Sequence, residues 1–213
     1  LFDLFIEKDS LLGAAASGSS DWQVLVTLRG MPERGKNADI GVTVTSDLVG
    51  TTIDLPDPFG KSPESVRQLT IVEDRVGVKD GLVRLNYSDL VQGLLVIDPG
   101  TEELKLQKGA ITVGGKKPVL PDSKVLLIKG HLERFRLTDW QPHLQGSGVA
   151  DEAGSGDTDL PLALVVAIDA LEVLGYELGQ ASLSLKSSGS RREIRIDGPA
   201  VAGDIDLTNT AAG

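Results

Sequence analysis

The chain has 213 residues, 24% of them charged and 40% hydrophobic, with 25 Gly, 4% aromatics and no Cys. That is enough for one large β domain or two small ones, and it excludes a disulfide framework or a thiolate metal site. A net charge of −10 and a pI near 4.7 argue against a nucleic-acid partner, which needs clustered Lys and Arg, and against broad docking on an anionic membrane face.

The sequence opens at Leu1 with neither an initiator Met nor a signal peptide. It is expected to be a piece of a longer protein, with any targeting or anchoring segment outside it. No window approaches the roughly 18 consecutive apolar residues of a membrane-spanning helix. Residues 1–12, LFDLFIEKDSLL, have the pattern of a short amphipathic helix. Alternation with period two then dominates. It places Trp22, Val24, Val26 and Leu28 on one face, then Ile40, Val42, Val44, Ser46 and Leu48. Val83, Leu85 and Tyr87 follow, then Leu104 and Leu106, a break at Gly109, and Ile111 and Val113. Leu126, Ile128, Gly130 and Leu132 share a face, whereas Phe135 and Leu137 are in the other phase, which predicts a bulge near Glu133–Arg134. TDWQPHLQ, 138–145, has room for one helical turn, with His143 in a loop after Pro142. GSGVADEAGSGDTD, 146–159, has no apolar period and reads as a flexible or exposed acidic connection. Leu160, Leu162, Leu164, Val166 and Ile168 resume the alternation. ASLSLKSS and REIRIDG form a hairpin around Ser188-Gly189-Ser190, and GDIDL closes the pattern with Ile205 and Leu207. The organisation is a β segment over 1–149 with the short N-terminal helix, a flexible acidic loop over 150–159, and further strands of the same sheet over 160–213. The connections are of hairpin length, so the fold class is all-β and antiparallel.

The stretch SDLVGTTIDLPDPFGKSPES, 46–65, contains Gly60-Lys61-Ser62, the end of a phosphate-binding loop. The first glycine of that motif falls at position 55, which is Leu55. Pro56 and Pro58 lack the backbone N–H groups by which such a loop works. A nucleotide site is therefore not expected, and Lys61 reads as replaceable without effect on folding. His131 and His143, with no Cys beside them, make a poor zinc set. Asp151, Glu152, Asp157 and Asp159 fit neither calcium-loop pattern. There is no G-x-S-x-G elbow, and there are too few aromatics for a sugar platform. No residue set supports catalysis, so the chain is expected not to be an enzyme and to carry no metal or cofactor.

Four stretches taken in order resemble a known family. SGSSDWQVLVTL (17–28) is similar to its entry strand, and 46–65 to its S-[DN]-L-x-G strand with the following L-P-x-P. LPDSKVLLIKGHLERFRLTDWQPHL is similar to its G-x-[LI]-x-x-[LF] strand pair ending in Trp, and AIDALEVLGYELGQASLSLKSSGSRREIRIDGPAVAGDIDL to its hairpin segment. The family is the YhdP-like branch of the AsmA-like proteins of Gram-negative envelopes. The resemblance departs at the acidic 150–159 loop and at Lys61–Arg67. It implies a periplasmic protein anchored in the inner membrane through a segment outside this sequence. The fold implied is a strongly twisted, curved, taco-like sheet with an open apolar groove. The function implied is non-catalytic transport of phospholipid between inner and outer membranes, in support of outer-membrane homeostasis. Its partners would be phospholipid acyl chains and envelope proteins.

The groove candidates are Val24, Val26, Val42, Val44, Leu48, Val83, Leu85, Ile111, Val113, Leu126, Ile128, Leu164 and Val166, with Leu48 to Leu55 read as a groove strand ending in a Pro-rich rim. Acyl chains suit such a trough, because they are apolar and make no hydrogen-bond demands. The alternative is a closed β-sandwich, a structural or protein-interaction domain of the envelope with a filled core. Val44→Asp separates the two: in a closed core the buried charge unfolds the domain, and in an open trough the carboxylate stays hydrated.

Overall fold

The computed structural model describes residues 15–29, 39–75, 81–98, 105–146, 160–189 and 191–208. The helix expected over 1–12 and the acidic 150–159 loop lie outside them. The elements are β1 (Ala16–Gly18), β2 (Gln23–Arg29), β3 (Asp39–Ser46), β4 (Thr51–Ile53), β5 (Leu69–Arg75), β6 (Gly81–Tyr87), β7 (Val91–Asp98), β8 (Lys105–Val113), β9 (Leu126–Arg136), α1 (Leu137–Gly146), β10 (Leu162–Val173), β11 (Tyr176–Ser188), β12 (Arg191–Asp197) and β13 (Ala202–Thr208).

Eleven strands form one open sheet in the order β13-β12-β11-β10-β9-β8-β7-β6-β5-β3-β2, and β1 and β4 form a separate two-stranded piece. The fold is all-β and mostly antiparallel. The departure is β9, which runs parallel to both β8 and β10. Antiparallel neighbours need only a tight turn, whereas a parallel pair needs a long crossover. Here the crossovers are 114–125 and the connection that opens with α1, so the hairpin-length connections expected throughout do not hold on either side of β9. The expected single turn near 138–145 is a full helix containing Pro142 and His143. The expected strand over 48–55 forms only at Thr51–Ile53, and it pairs with β1 outside the main sheet.

Irregular positions carry the phase changes. Val96 faces Lys108 and Ile97 faces Leu106, so Gln107 is an extra residue on β8, two before the expected break at Gly109. Leu132 and Phe135 pack against one cluster despite their odd spacing, as the bulge expected near Glu133–Arg134 requires. β10 shifts in step: Ile168 and Leu171 are both buried, and its register against β11 changes between them. Ser188 pairs with Arg191, and Gly189 at φ +55° turns the expected hairpin.

Two apolar clusters form the interior. Val44, Ile71, Val83, Leu95 and Ile97 make the first, and Val166, Ile168, Leu171 and Ala181 the second. Val83 and Ile97 are 0% exposed. Strand-to-strand packing runs almost wholly between ladder neighbours, so among the described residues no second sheet closes over this face. Burial of that depth comes with curvature, which draws neighbouring side chains together on the concave side.

Two glycines test this packing. A Cβ at Gly130 would lie 2.8 Å from the Cβ and 3.2 Å from the carbonyl oxygen of Val113, whereas one at Gly93 would meet the Leu85 Cβ at 3.4 Å, an ordinary contact. Gly130→Ala is expected to destabilise the fold by about 1–3 kcal/mol through forced backbone movement. Gly93→Ala should be neutral or stabilising by about 0.4–1 kcal/mol through the unfolded chain. Urea denaturation of both variants checks the order, and an equal loss in the two would contradict it.

Candidate functional site: an aliphatic trough

The register of the ladders shows what the main sheet presents. One row crosses all eleven strands: Val24, Val44, Ile71, Leu85, Gly93, Ile111, Ile128, Leu164, Leu185, Ile194 and Ile205, each paired with the next. Ten of these eleven are Val, Ile or Leu, and the other is glycine. The residue beside each along the chain points to the opposite face, because side chains alternate in a strand. That row reads Gln23, Thr45, Thr70, Asn86, Gln92, Thr112, Lys129, Val165, Ser184, Arg195 and Asp204, and all but Val165 are polar. The next row on that face, Leu25, Thr43, Val72, Arg84, Leu94, Ala110, Leu127, Ala163, Lys186, Glu193 and Asp206, is mixed, so the opposite face is polar along one row and partly apolar in its middle along the other.

Flanking rows extend the apolar face. Val26, Val42, Glu73, Val83, Leu95, Gly109 and Leu126 form one of them, and Tyr87, Val91, Val113, Gly130, Val166 and Leu183 another. Twelve of the thirteen groove candidates thus fall on a single face in three adjacent rows. Leu48 does not join them in the sheet: it lies buried in the turn after β3 at φ 55°. Exposure grades across the face. Val24 and Val26 at the β2 edge are 61% and 58% exposed, Val44 and Val83 in the middle are buried, and Ile205 at the β13 edge is again 55% exposed. Leu85, Ile111, Val113, Leu126, Ile128 and Leu164 are half-buried. Val44 is floor, packed in the first cluster, so an Asp there reports on packing and not on the trough.

Sequence reasoning missed β5 and β7, and with them Leu69, Ile71, Leu95 and Ile97 of the same face. In β5 the alternation Leu69, Ile71 is broken by Glu73, which sits on the apolar face between Val42 and Val83 and is 4% exposed. In β7 the run Leu94, Leu95, Val96, Ile97 is apolar on both faces, so period two is invisible there.

The rim at the Tyr87 side is aromatic. Trp140 of α1 stacks on Phe135 at 5.9 Å between centroids and meets Phe59 of the Pro-rich loop edge-on at 5.7 Å. The Tyr87 hydroxyl donates to the Phe59 carbonyl at 3.1 Å, and the Arg67 guanidinium lies 5.7 Å from the Tyr87 ring. Burial pushes the Tyr87 hydroxyl above the usual phenol range, opposed by the Arg67 charge. The loop itself is built around Lys61. Its Nζ donates to the carbonyls of Leu48 at 2.7 Å and Ser62 at 2.8 Å, and also to that of Thr51. Lys61 is 8% exposed, and burial holds its ammonium below the ordinary lysine range against the fields of Asp47 and Glu64. The Gly60-Lys61-Ser62 stretch is thus a cross-brace, which argues against the expectation that Lys61 is dispensable for folding.

His131 Nε2 lies 2.9 Å from Asp169 Oδ2 on the polar face, and the His143 ring lies 6.4 Å from that of Trp140. Among the described residues no group of three or more His, Asp or Glu is placed to hold a metal.

The family model described as YhdP protein matches residues 2–213. The chain belongs to the YhdP family. Neither a curated protein nor a solved structure matches it. The matched residues include those of the apolar face and of the Lys61 loop.

Lys61→Met keeps the stem and removes the ammonium, leaving three carbonyls without their donor. It should lower unfolding free energy by about 1–3 kcal/mol, the cost of stranded buried polar groups. Urea denaturation measures this, and calorimetry with ATP should register no binding to the unaltered protein. Stability unchanged in Lys61→Met would remove the brace.

Proposed function

We propose that the chain is a non-catalytic, periplasmic part of an inner-membrane-anchored envelope protein, and that its aliphatic face is a trough for phospholipid acyl chains moving between inner and outer membranes. The observation that supports this most directly is the apolar row from Val24 to Ile205, with a polar row on the other face and, among the described residues, no second sheet over it. An apolar surface of this extent on a lone protein marks a partner or ligand. A row that keeps its character across eleven strands offers a path in which an acyl chain meets the same chemistry at every step. Ladder neighbours stand about 4.8 Å apart, so eleven strands extend that path to roughly 48 Å, longer than the hydrocarbon thickness of one bilayer at about 30 Å. The half-buried walls at Ile111, Ile128 and Leu164 are the positions an acyl chain would touch. Among the described residues no helix is long and apolar enough to cross a membrane.

A second reading, an envelope structural or interaction domain with a filled core, draws on the complete burial of Val83 and Ile97. The two readings differ in what the walls touch. A benzophenone amino acid placed at Ile111, Ile128 or Leu164 should form phospholipid adducts on illumination with phosphatidylethanolamine–phosphatidylglycerol vesicles. The same group at Thr45 or Ser184 on the polar face should form none. Mass spectrometry of the folded variants reads the outcome. Adducts on neither face favour the filled core, and adducts on both faces alike defeat the trough.

A further inference from the structure

The polar face carries a feature that the trough does not use. The crossover 114–125 between β8 and β9 passes over it and leaves two adjoining crevices of about 420 and 360 Å³, which share Lys117. The chain has 31 acidic residues against 21 basic ones, yet no carboxylate lines either crevice. Their basic side chains are Arg84, Lys116, Lys117, Lys129 and His131. Arg84 is committed to Asp74, and His131 to Asp169. Lys116, Lys117 and Lys129 have no carboxylate partner among the described residues.

We infer that Lys116, Lys117 and Lys129 form a site for a phosphate-bearing ligand on the polar back of the sheet. Three ammonium groups gathered without counter-charge repel one another, and an anion among them relieves that repulsion. The surrounding donors suit oxyanions. The Gln92 amide lines the first crevice and the Ser182 hydroxyl the second, each able to donate to a phosphate oxygen, whereas the Asn86 amide is engaged with Asp89 at 2.9 Å. The crossover places Lys116 and Lys117 on one side of the second crevice, and β9 places Lys129 on the floor, paired in register with Thr112. Charge-assisted hydrogen bonds are the strong ones, and lysine is an established phosphate binder as a point charge. The site lies on the face opposite the aliphatic rows, so it stands whether or not the trough carries lipid.

Calorimetry at low ionic strength tests it with two probes. Inorganic phosphate stands for the free anion, and glycerophosphoethanolamine for a lipid headgroup diester. Millimolar or tighter binding of phosphate is expected, weakened about tenfold or more in Lys117→Ala/Lys129→Ala, which corresponds to the loss of about 1.4 kcal/mol. The control Lys105→Ala/Lys186→Ala removes the same charge elsewhere and should bind as the unaltered protein does. Binding of the diester at similar strength assigns the site to headgroups, and exclusion of the diester assigns it to free phosphate or monoesters. No heat at millimolar phosphate, or equal weakening in the control, overturns the site.

Discussion

A one-layer sheet with a largely aliphatic face has to bury that face against itself or against something else. Every other feature of this chain answers to that constraint. A sandwich supplies a second sheet, and an α/β fold supplies helices. Among the described residues the main sheet has neither over this face, and its middle rows are buried while its edge rows are open. Ordinary right-handed twist turns adjacent strands by roughly 20–25°. Over eleven strands that accumulates into a strongly coiled surface, whose concave side collects Val44, Ile71, Val83, Leu95 and Ile97. The packed floor supplies cohesion, and half-buried Leu85, Ile111, Leu126 and Leu164 pack against it.

Bending of this kind asks for local relief, and the relief is found where the rows would otherwise collide. Gly109 and Gly130 stand where a Cβ would press on Leu95 and on Val113. Gln107 on β8 and the step between Ile168 and Leu171 on β10 add bulges that re-aim the strands. The rim is secured separately. Lys61 ties the turn after β3 to the Pro-rich loop, and Phe59 on that loop reaches Trp140, which rests on Phe135. β5 and β9 are four ladder steps apart, roughly 19 Å along a flat sheet. The aromatic contact therefore links parts of the rim that hydrogen bonding alone keeps apart.

Most of this was legible where period two is clean. The faces of β2, β3, β6, β8 and β9, and of β10 to β13, follow from apolar residues alternating with period two. Legibility failed where that alternation failed. Glu73 interrupts the apolar face of β5, and β7 is apolar on both faces because it lies mid-sheet, between β6 and β8. The parallel setting of β9 was hidden for a different reason. Strand direction depends on the path of the crossover, and neither 114–125 nor α1 marks its destination in composition. Leu48 kept the phase of β3 in sequence but leaves the sheet at a positive φ, where the Lys61 brace begins. A buried lysine in a Gly-Lys-Ser string is indistinguishable by pattern from an exposed one. Only the three converging carbonyls show its purpose.

The two faces impose opposite demands on charge, which accounts for where the lysines are. A chain with a net charge of −10 repels anions on average, so an unpaired cationic cluster has to be placed where carboxylates are locally absent. The apolar face cannot host it, because an ammonium there would be desolvated without a partner. The β11–β13 end of the polar face is occupied by cross-strand pairs such as Arg195 with Asp204, whose carboxyl is held below the usual range first by the hydrogen bond from Arg195. What remains is the middle of the polar face under the β8–β9 crossover, where Lys116, Lys117 and Lys129 meet hydroxyl and amide groups. That crossover exists only because β9 runs parallel to β8. The same irregularity that breaks the antiparallel order thus creates the one place on the described surface where a loop lies across the polar rows and brings lysines from two elements together.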